Sequence, residues 1–290
     1  MKVKGILIPI GGNEDKGSET SESYHLEFIE EGILSRVVKE SGGTDSLIII
    51  IPTASSIPTE VGENYLEAFG KLGCKNLHVM DIREREQSED SANIELMKKA
   101  DCVMFSGGNQ SNITRKIGGT TLHKIMLKRY KKEPFVIAGT SAGAMCMSKK
   151  MITGGSSTES FIKGAVGIGK GMNFISNLII DSHFIRRGRF GRIAEAVAKY
   201  PKFLGIGLAE DTGVIIKDCN KCEVIGSGMV LLFDPRKLKH NNQKRLAIGA
   251  PMSLTNLKTH ILANGDQFDI KKKKIRVSPL GLPVTDAQTL

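Results

Sequence analysis

Five apolar runs divide the first half of the chain, and their spacing restricts the folds open to it. Residues 5–10 (GILIPI), 46–52 (SLIIIIP), 76–82 (NLHVMDI), 101–108 (DCVMFSGG) and 135–141 (FVIAGTS) are short and mostly apolar without alternation. That pattern reads as strands buried on both faces, as in parallel sheets. Between them lie amphipathic stretches at 25–40, 60–72, 91–99 and 120–130 that read as helices. Strand, helix, strand, repeated, predicts an α/β fold with a doubly wound, mostly parallel sheet flanked by helices. Ligands bind such sheets beyond the carboxyl ends of the strands. The polar strand ends at Gly11-Gly12-Asn13, Thr53-Ala54-Ser55, Gly107-Gly108-Asn109-Gln110 and Ser141 should therefore gather at one rim.

Beyond Met151 the rhythm changes. Residues 177–184 read as a strand, 189–200 as a helix, 204–218 as two strands with a turn, and 223–234 as a strand or hairpin. Residues 235–242 form a basic loop, followed by weak alternation and a Gly/Pro-rich tail. With no internal repeat and no low-complexity linker, residues 1–290 read as one domain, with 235–290 a basic extension of it.

Composition narrows the function classes. The 290 residues are 40% hydrophobic and 25% charged, as in soluble globular proteins. No tryptophan and 5% aromatic residues argue against a large stacking surface for nucleic acid. The first apolar run is too short for a signal peptide, and none approaches the roughly 20 residues of a membrane span. The expectation is a cytoplasmic protein with no membrane and no nucleic-acid partner. Five scattered cysteines suit reduced thiols. Cys219 and Cys222 lack two further ligands nearby, so a hairpin turn through Asn220-Lys221 is expected rather than a zinc site, and no metal is expected elsewhere. Most of the net charge of +10 falls between Lys217 and Arg276, including Lys271–Lys274. Such a run reads as a solvated loop or a lysine-guarded edge strand. Residues 164–171 (GAVGIGKG) imitate a P-loop. Gly171 stands where Ser or Thr would hold magnesium, and the flanking strand and helix are missing, so the segment reads as a glycine-rich loop.

Gly139-Thr140-Ser141-Ala142-Gly143 fits the G-x-S-x-G pattern of a nucleophile elbow, although an ordinary glycine-flanked strand-to-helix turn reads the same way. A serine hydroxyl needs a base, and the base an orienting acid. Of six histidines, His183 closes a strand beside Asp181 and an arginine cluster, and His260 is the second choice. Glu210 and Asp211 follow another apolar run, and either could be the acid. The order Ser, His, acid is not that of the α/β-hydrolases.

Taken together, FSGGNQ (105–110), AGTSAGAM (138–145), DSHFIRRGRFGR (181–192) and GIGLAEDTG (205–213) resemble cyanophycinase in order and spacing. That family comprises serine-type exopeptidases related to peptidase E, the aspartyl dipeptidases, with a class I glutamine amidotransferase-like fold. The resemblance implies a catalytic Ser141, His183 and Glu210, and substrate binding by Gln110, Asp181, Arg187, Arg189 and Arg192. It implies a homodimer that needs no cofactor and cleaves cyanophycin, a poly-aspartate with an arginine on each side-chain carboxylate, to β-Asp-Arg dipeptides. An oxyanion hole would use the backbone N–H of Ala142 and that of Gly108 or Asn109. Ser182 stands where the family would carry Gln, and Ala209 where it would carry an acid. An aspartyl or isoaspartyl dipeptidase with the same triad is the alternative enzyme. A glutamine amidotransferase would need a cysteine in the elbow, and Cys146 is misplaced for that. From another class, the basic C-terminal region could serve a non-catalytic binder of an acidic polymer.

Overall fold

The computed structural model describes residues 2–17, 26–155 and 161–278. Five strands, β1 (Ile6–Ile10), β2 (Ile48–Ile51), β3 (Leu77–Val79), β4 (Cys102–Phe105) and β5 (Val136–Thr140), lie parallel in the order β1-β5-β4-β2-β3. They are joined through α1 (Ile33–Ser41), α2 (Pro58–Lys71), α3 (Ser91–Lys99), α4 (Gln110–Lys116) and α5 (Thr121–Lys132), and α6 (Ala142–Met145) follows β5. Side chains of a strand alternate faces, and the core follows that alternation. Leu7, Ile49, Ile51, Val103, Phe105 and Ile137 pack on one face with residues of α3, α4 and α5. Ile8, Ile10, Ile48, Ile50, Met104 and Ala138 pack on the other with Leu34 and Val37 of α1 and Tyr65 and Phe69 of α2.

The later chain adds a second architecture. A ribbon of β6 (Lys150–Gly155) and β7 (Val166–Lys170) leads into β8 (Leu178–Asp181), α7 (Phe190–Lys199) and β9 (Leu204–Leu208). β10 (Thr212–Lys217) and β11 (Lys221–Gly226) then extend the large sheet antiparallel from β1. β12 (Val230–Asp234) and β13 (Lys258–Leu262) join β9 and β8 in a separate four-stranded sheet, β13-β12-β9-β8. β14 (Gln267–Asp269) and β15 (Ile275–Arg276) complete the large sheet of nine. The small sheet lies against the large one, with Leu178, Ile180, Ile206 and Leu208 sharing a core with Leu7 and Phe105. Helix α7 covers its far face through Ile193 and Ala196.

Several expectations change here. The segment read as a glycine-rich loop is strand β7, because Gly167 and Gly169 leave room for Thr153 of β6: a Cβ on either would lie 2.7–2.8 Å from that side chain. The β10–β11 turn centres on Asp218 and Cys219, both at positive φ, while Lys221 already belongs to β11. The first helix begins at Ile33, and residues 18–25, with His25, lie outside the described residues, as does the tail from 279. The strands at 177–184 and 204–208 do not join the large sheet. Their carboxyl ends still reach its rim, where the N–H groups of His183, after β8, and Asp211, after β9, bond to the carbonyls of Gly11 and Gly12 beyond β1.

Candidate active site

β5 ends at Thr140, and the chain reverses at Ser141 with φ 50° and ψ −105° before α6 begins. The neighbouring glycines are there for space. A Cβ on Gly139 would lie 2.8 Å from the Gly143 carbonyl carbon, and one on Gly143 would lie 2.5 Å from the Phe105 carbonyl oxygen. A strained serine on a strand-to-helix turn, packed this tightly, has the geometry of a nucleophile elbow.

The end of β1 organises the rest. Ser141 donates its N–H to the Ile10 carbonyl at 2.9 Å, His183 donates to Gly11 at 2.8 Å, and Asp211 donates to Gly12 at 2.9 Å. Three consecutive carbonyls thus hold the three turns that carry the triad candidates. His183 and Asp211 also sit at positive φ, 48° and 42°. Only glycine fits at the second and third of these carbonyls. A Cβ on Gly11 would meet the Ala209 carbonyl oxygen at 1.8 Å, and one on Gly12, itself at φ 110°, would meet the His183 ring at 2.4 Å. Sequence reasoning brought Gly11-Gly12 to the rim but not to this role; the doublet was its only local signal.

His183 Nδ1 lies 3.0 Å from Glu210 Oε1. Burial lowers the pKa of His183, and Arg187 and Arg189 add to that against the opposing pull of Glu210. The imidazole is therefore neutral at neutral pH, as a base must be. Among the described residues no hydrogen bond joins Ser141 Oγ to His183 Nε2, a contact that commonly closes only when substrate binds. Ser141, His183, Arg187, Gly107 and Gly108 line one cleft of about 410 Å³. A larger hollow of about 500 Å³, between β11 and β15, carries several lysines but no serine or histidine. The triad candidates therefore gather at the smaller cleft.

His260 lies on β13 with Leu232 as its cross-strand partner, away from this cleft. Asp211 is a structural anchor. Its carboxylate accepts the Asp15 N–H at 3.1 Å and the Ser227 hydroxyl. For the oxyanion, the Asn109 N–H is already committed to the Ala54 carbonyl at 2.8 Å, and its side chain caps α4 through Ser111. That leaves the Gly108 and Ala142 N–H groups, which have no acceptor among the described residues.

Of the residues expected to bind substrate, only Arg187 lines the cleft beside Ser141. Gln110 is buried and gives its side-chain N–H to the Ile152 carbonyl at 2.8 Å. Asp181 is fully buried, and its Oδ1 accepts from Arg189 at 3.2 Å, Arg192 at 3.0 Å and the Ser182 N–H at 3.0 Å. Its Oδ2 and the Nε of Arg192 have no partner among the described residues. Burial pushes the Asp181 carboxyl up against the pull of Arg192 and Arg189, and burial likewise lowers Arg189. Such a cluster fixes geometry more than it stabilises the fold. Ser182 turns its hydroxyl to Met145 Sδ at 3.2 Å, and Ala209 is buried under Gly11. Sequence reasoning missed Glu14, Lys16 and Tyr65, which also line the cleft.

The model of Peptidase family S51 matches residues 17–224. The chain belongs to this family. It is 36% identical over 271 residues to a cyanophycinase of Geminocystis herdmanii, covering 93% of this chain and 95% of that one. A cyanophycinase of Trichormus variabilis is 34% identical over 274 residues, covering 94% and 88%. Among solved structures, a peptidase from an acI-B1 Actinobacterium superposes with a TM-score of 0.64 over 92% of this chain and 98% of that one, at 19% identity, and shows the same fold. The S51 chain described here is a serine-type peptidase.

Proposed function

We propose that this S51 peptidase hydrolyses cyanophycin to β-Asp-Arg dipeptides through a Ser141 acyl-enzyme. The observation that carries the proposal is His183, fixed on Glu210 and sharing one cleft with the strained Ser141, in a chain whose full-length relatives are cyanophycinases. Ser141 Oγ attacks a backbone carbonyl carbon while His183 Nε2 takes its proton. The oxyanion is held by the Gly108 and Ala142 N–H groups, preorganised for charge that develops only then. The C–N bond breaks, and the imidazolium protonates the departing amine. Water then attacks the ester carbon, losing a proton to His183; the Ser141 Oγ–C bond breaks, the imidazolium returns its proton to Ser141 Oγ, and the carboxylic acid product leaves. Glu210 keeps the imidazole in the right tautomer and stabilises its charged form.

Arg187 faces the cleft and would take a substrate carboxylate bidentately. Asp181, Arg189, Arg192 and Gln110 support this reading as the wall behind it: Arg189 ties Asp181 to the Ser182 carbonyl, directly before His183. Among the described residues no group of three or more His, Cys, Asp or Glu side chains is placed to hold a metal ion, and each step above is assigned to the chain's own groups. No helix among the described residues is long and apolar enough to cross a membrane. We expect a homodimer in the cytoplasm. The test is clearing of a cyanophycin suspension with products identified by mass. β-Asp-Arg supports the proposal. An intact polymer, beside rapid cleavage of short isoaspartyl peptides, would assign a dipeptidase instead.

A further inference from the structure

The cleft contains a charged pair that the triad chemistry does not use. Glu14 is only 3% exposed. Its Oε2 accepts the Thr140 hydroxyl at 2.5 Å, and its Oε1 accepts the Tyr65 hydroxyl and the Lys16 ammonium, the latter at 3.0 Å. Burial acts to raise this carboxyl, but Lys16, Thr140 and Tyr65 outweigh it and hold it below the ordinary range, so Glu14 is anionic. Its side chain is 1% exposed, with Thr140 on one oxygen and Tyr65 and Lys16 on the other, so little of the carboxylate is open to a ligand. Lys16 is different. Its side chain is 32% exposed, and its ammonium lies 5.0 Å from the centroid of the Tyr65 ring. The acid lies on the buried side and the cation on the accessible side. A molecule entering the cleft therefore meets Lys16 and Arg187 as charges, and both are positive.

These cations come from opposite faces of the large sheet. Lys16 rests on Tyr65 of α2, whose core is that of the α1/α2 face. Arg187 follows β8, in the sheet that packs on the other face. Ser141 lies in the same cleft as both. We infer that Lys16 is a substrate-binding residue that takes a second substrate carboxylate, with Glu14 and Tyr65 as its positioning residues. This inference rests on the function proposed above. Two consecutive β-Asp-Arg units carry one arginine carboxylate on each side of the backbone bond between them. Cations on two walls suit that pair and would favour a bond flanked by two anionic units. A fixed ammonium binds a carboxylate as a point charge, and its partner Glu14 limits the ordering that binding requires.

The test uses short β-Asp-Arg oligomers with the arginine carboxylates either free or converted to amides. Removing Lys16 alone would leave a buried, unpaired carboxylate. The main variant is therefore the double substitution Glu14→Gln with Lys16→Met, in which the amide oxygen can still accept from Thr140. Lys16→Arg is the charge-keeping control. The expected result is a fall in kcat/KM of the double variant on the free-acid oligomer, on the order of ten- to a hundredfold and mainly through KM. The fall on the amide should be at least about tenfold smaller, and Lys16→Arg should keep most of the wild-type preference. Equal losses on both oligomers, carried by kcat, would overturn the inference and make the pair a brace for the elbow through Thr140. No loss at all would overturn it too. If wild-type protein cleaves neither oligomer, the function proposed above fails first and this inference fails with it. Wild-type cleavage with an unchanged acid-to-amide ratio in the double variant removes only the role of Lys16.

Discussion

In the mechanism we propose, Ser141, His183 and Glu210 act as a unit, so losing one forfeits nearly all that the unit contributes. Ser141→Ala should cut kcat on the order of 10⁶-fold with the melting temperature preserved, since alanine fits the elbow. His183→Ala should approach that loss, while His260→Ala, on the edge strand β13, should cost little. Glu210→Gln should cost about 10⁴-fold by favouring the wrong tautomer. Asp211→Asn should instead lower the melting temperature, because its carboxylate ties Asp15 and Ser227 together; a kcat loss matching that of Glu210→Gln would exchange the two roles. The pH profile carries a sign. Only neutral His183 can act as base, and burial, with Arg187, disfavours its charged form. Activity should therefore persist as pH falls through 6.5, the value of an unperturbed imidazole, and be lost below it. Arg187→Ala removes a charge that opposes protonation, so the acid limb of kcat/KM should move to higher pH. An unmoved limb would mean that Arg187 lies too far from His183 to act on it.

At the scale of elements, the end of β1 sets the site, and it does so through glycine. Gly12→Ala would place a Cβ at 2.4 Å from the His183 ring at a φ of 110°. We expect loss of activity well beyond any loss of stability, measured as kcat beside thermal unfolding; activity within twofold of wild type would show that the β1 end does not position the base. The parallel strands were legible because each is a short, mostly apolar run between turn residues, and Ser91–Lys99 could be read as α3 from its amphipathic spacing. β7 was not. Its glycines spell a loop locally, and only Thr153 on the facing strand explains them. For the same reason the separate small sheet was hidden: strands β8 and β9 look like β4 in sequence, and pairing partners are a tertiary choice. The three triad candidates could be read from motif and order, and the structure brings them together at one cleft. The commitment of the Asn109 N–H to Ala54, and the burial of Asp181 between two arginines, are contacts between distant segments that leave no local trace.

At the scale of the whole molecule, four segments far apart in sequence meet at one rim, and the charge cluster behind them ties one of these, β8, to α7 and β6. Asp181 lies on β8, Arg192 on α7, and Arg192 also donates to the Gly155 carbonyl of β6 at 3.3 Å. Asp181→Ala would leave both arginines without their buried partner and should destabilise the protein by about 3–5 kcal/mol. Denaturant unfolding measures this, and a change under about 1 kcal/mol would mean that water already reaches the cluster. Arg187 is exposed, so Arg187→Ala should leave stability nearly unchanged while cutting kcat/KM on cyanophycin far more than on an uncharged activated ester. The central claim, that this assembly makes Ser141 a nucleophile, is tested most directly by a fluorophosphonate probe on the intact protein, with the adduct located by peptide mass mapping. One adduct is expected, on Ser141, absent in Ser141→Ala and strongly slowed in His183→Ala. An adduct elsewhere, or equal labelling of wild type and Ser141→Ala, would contradict it.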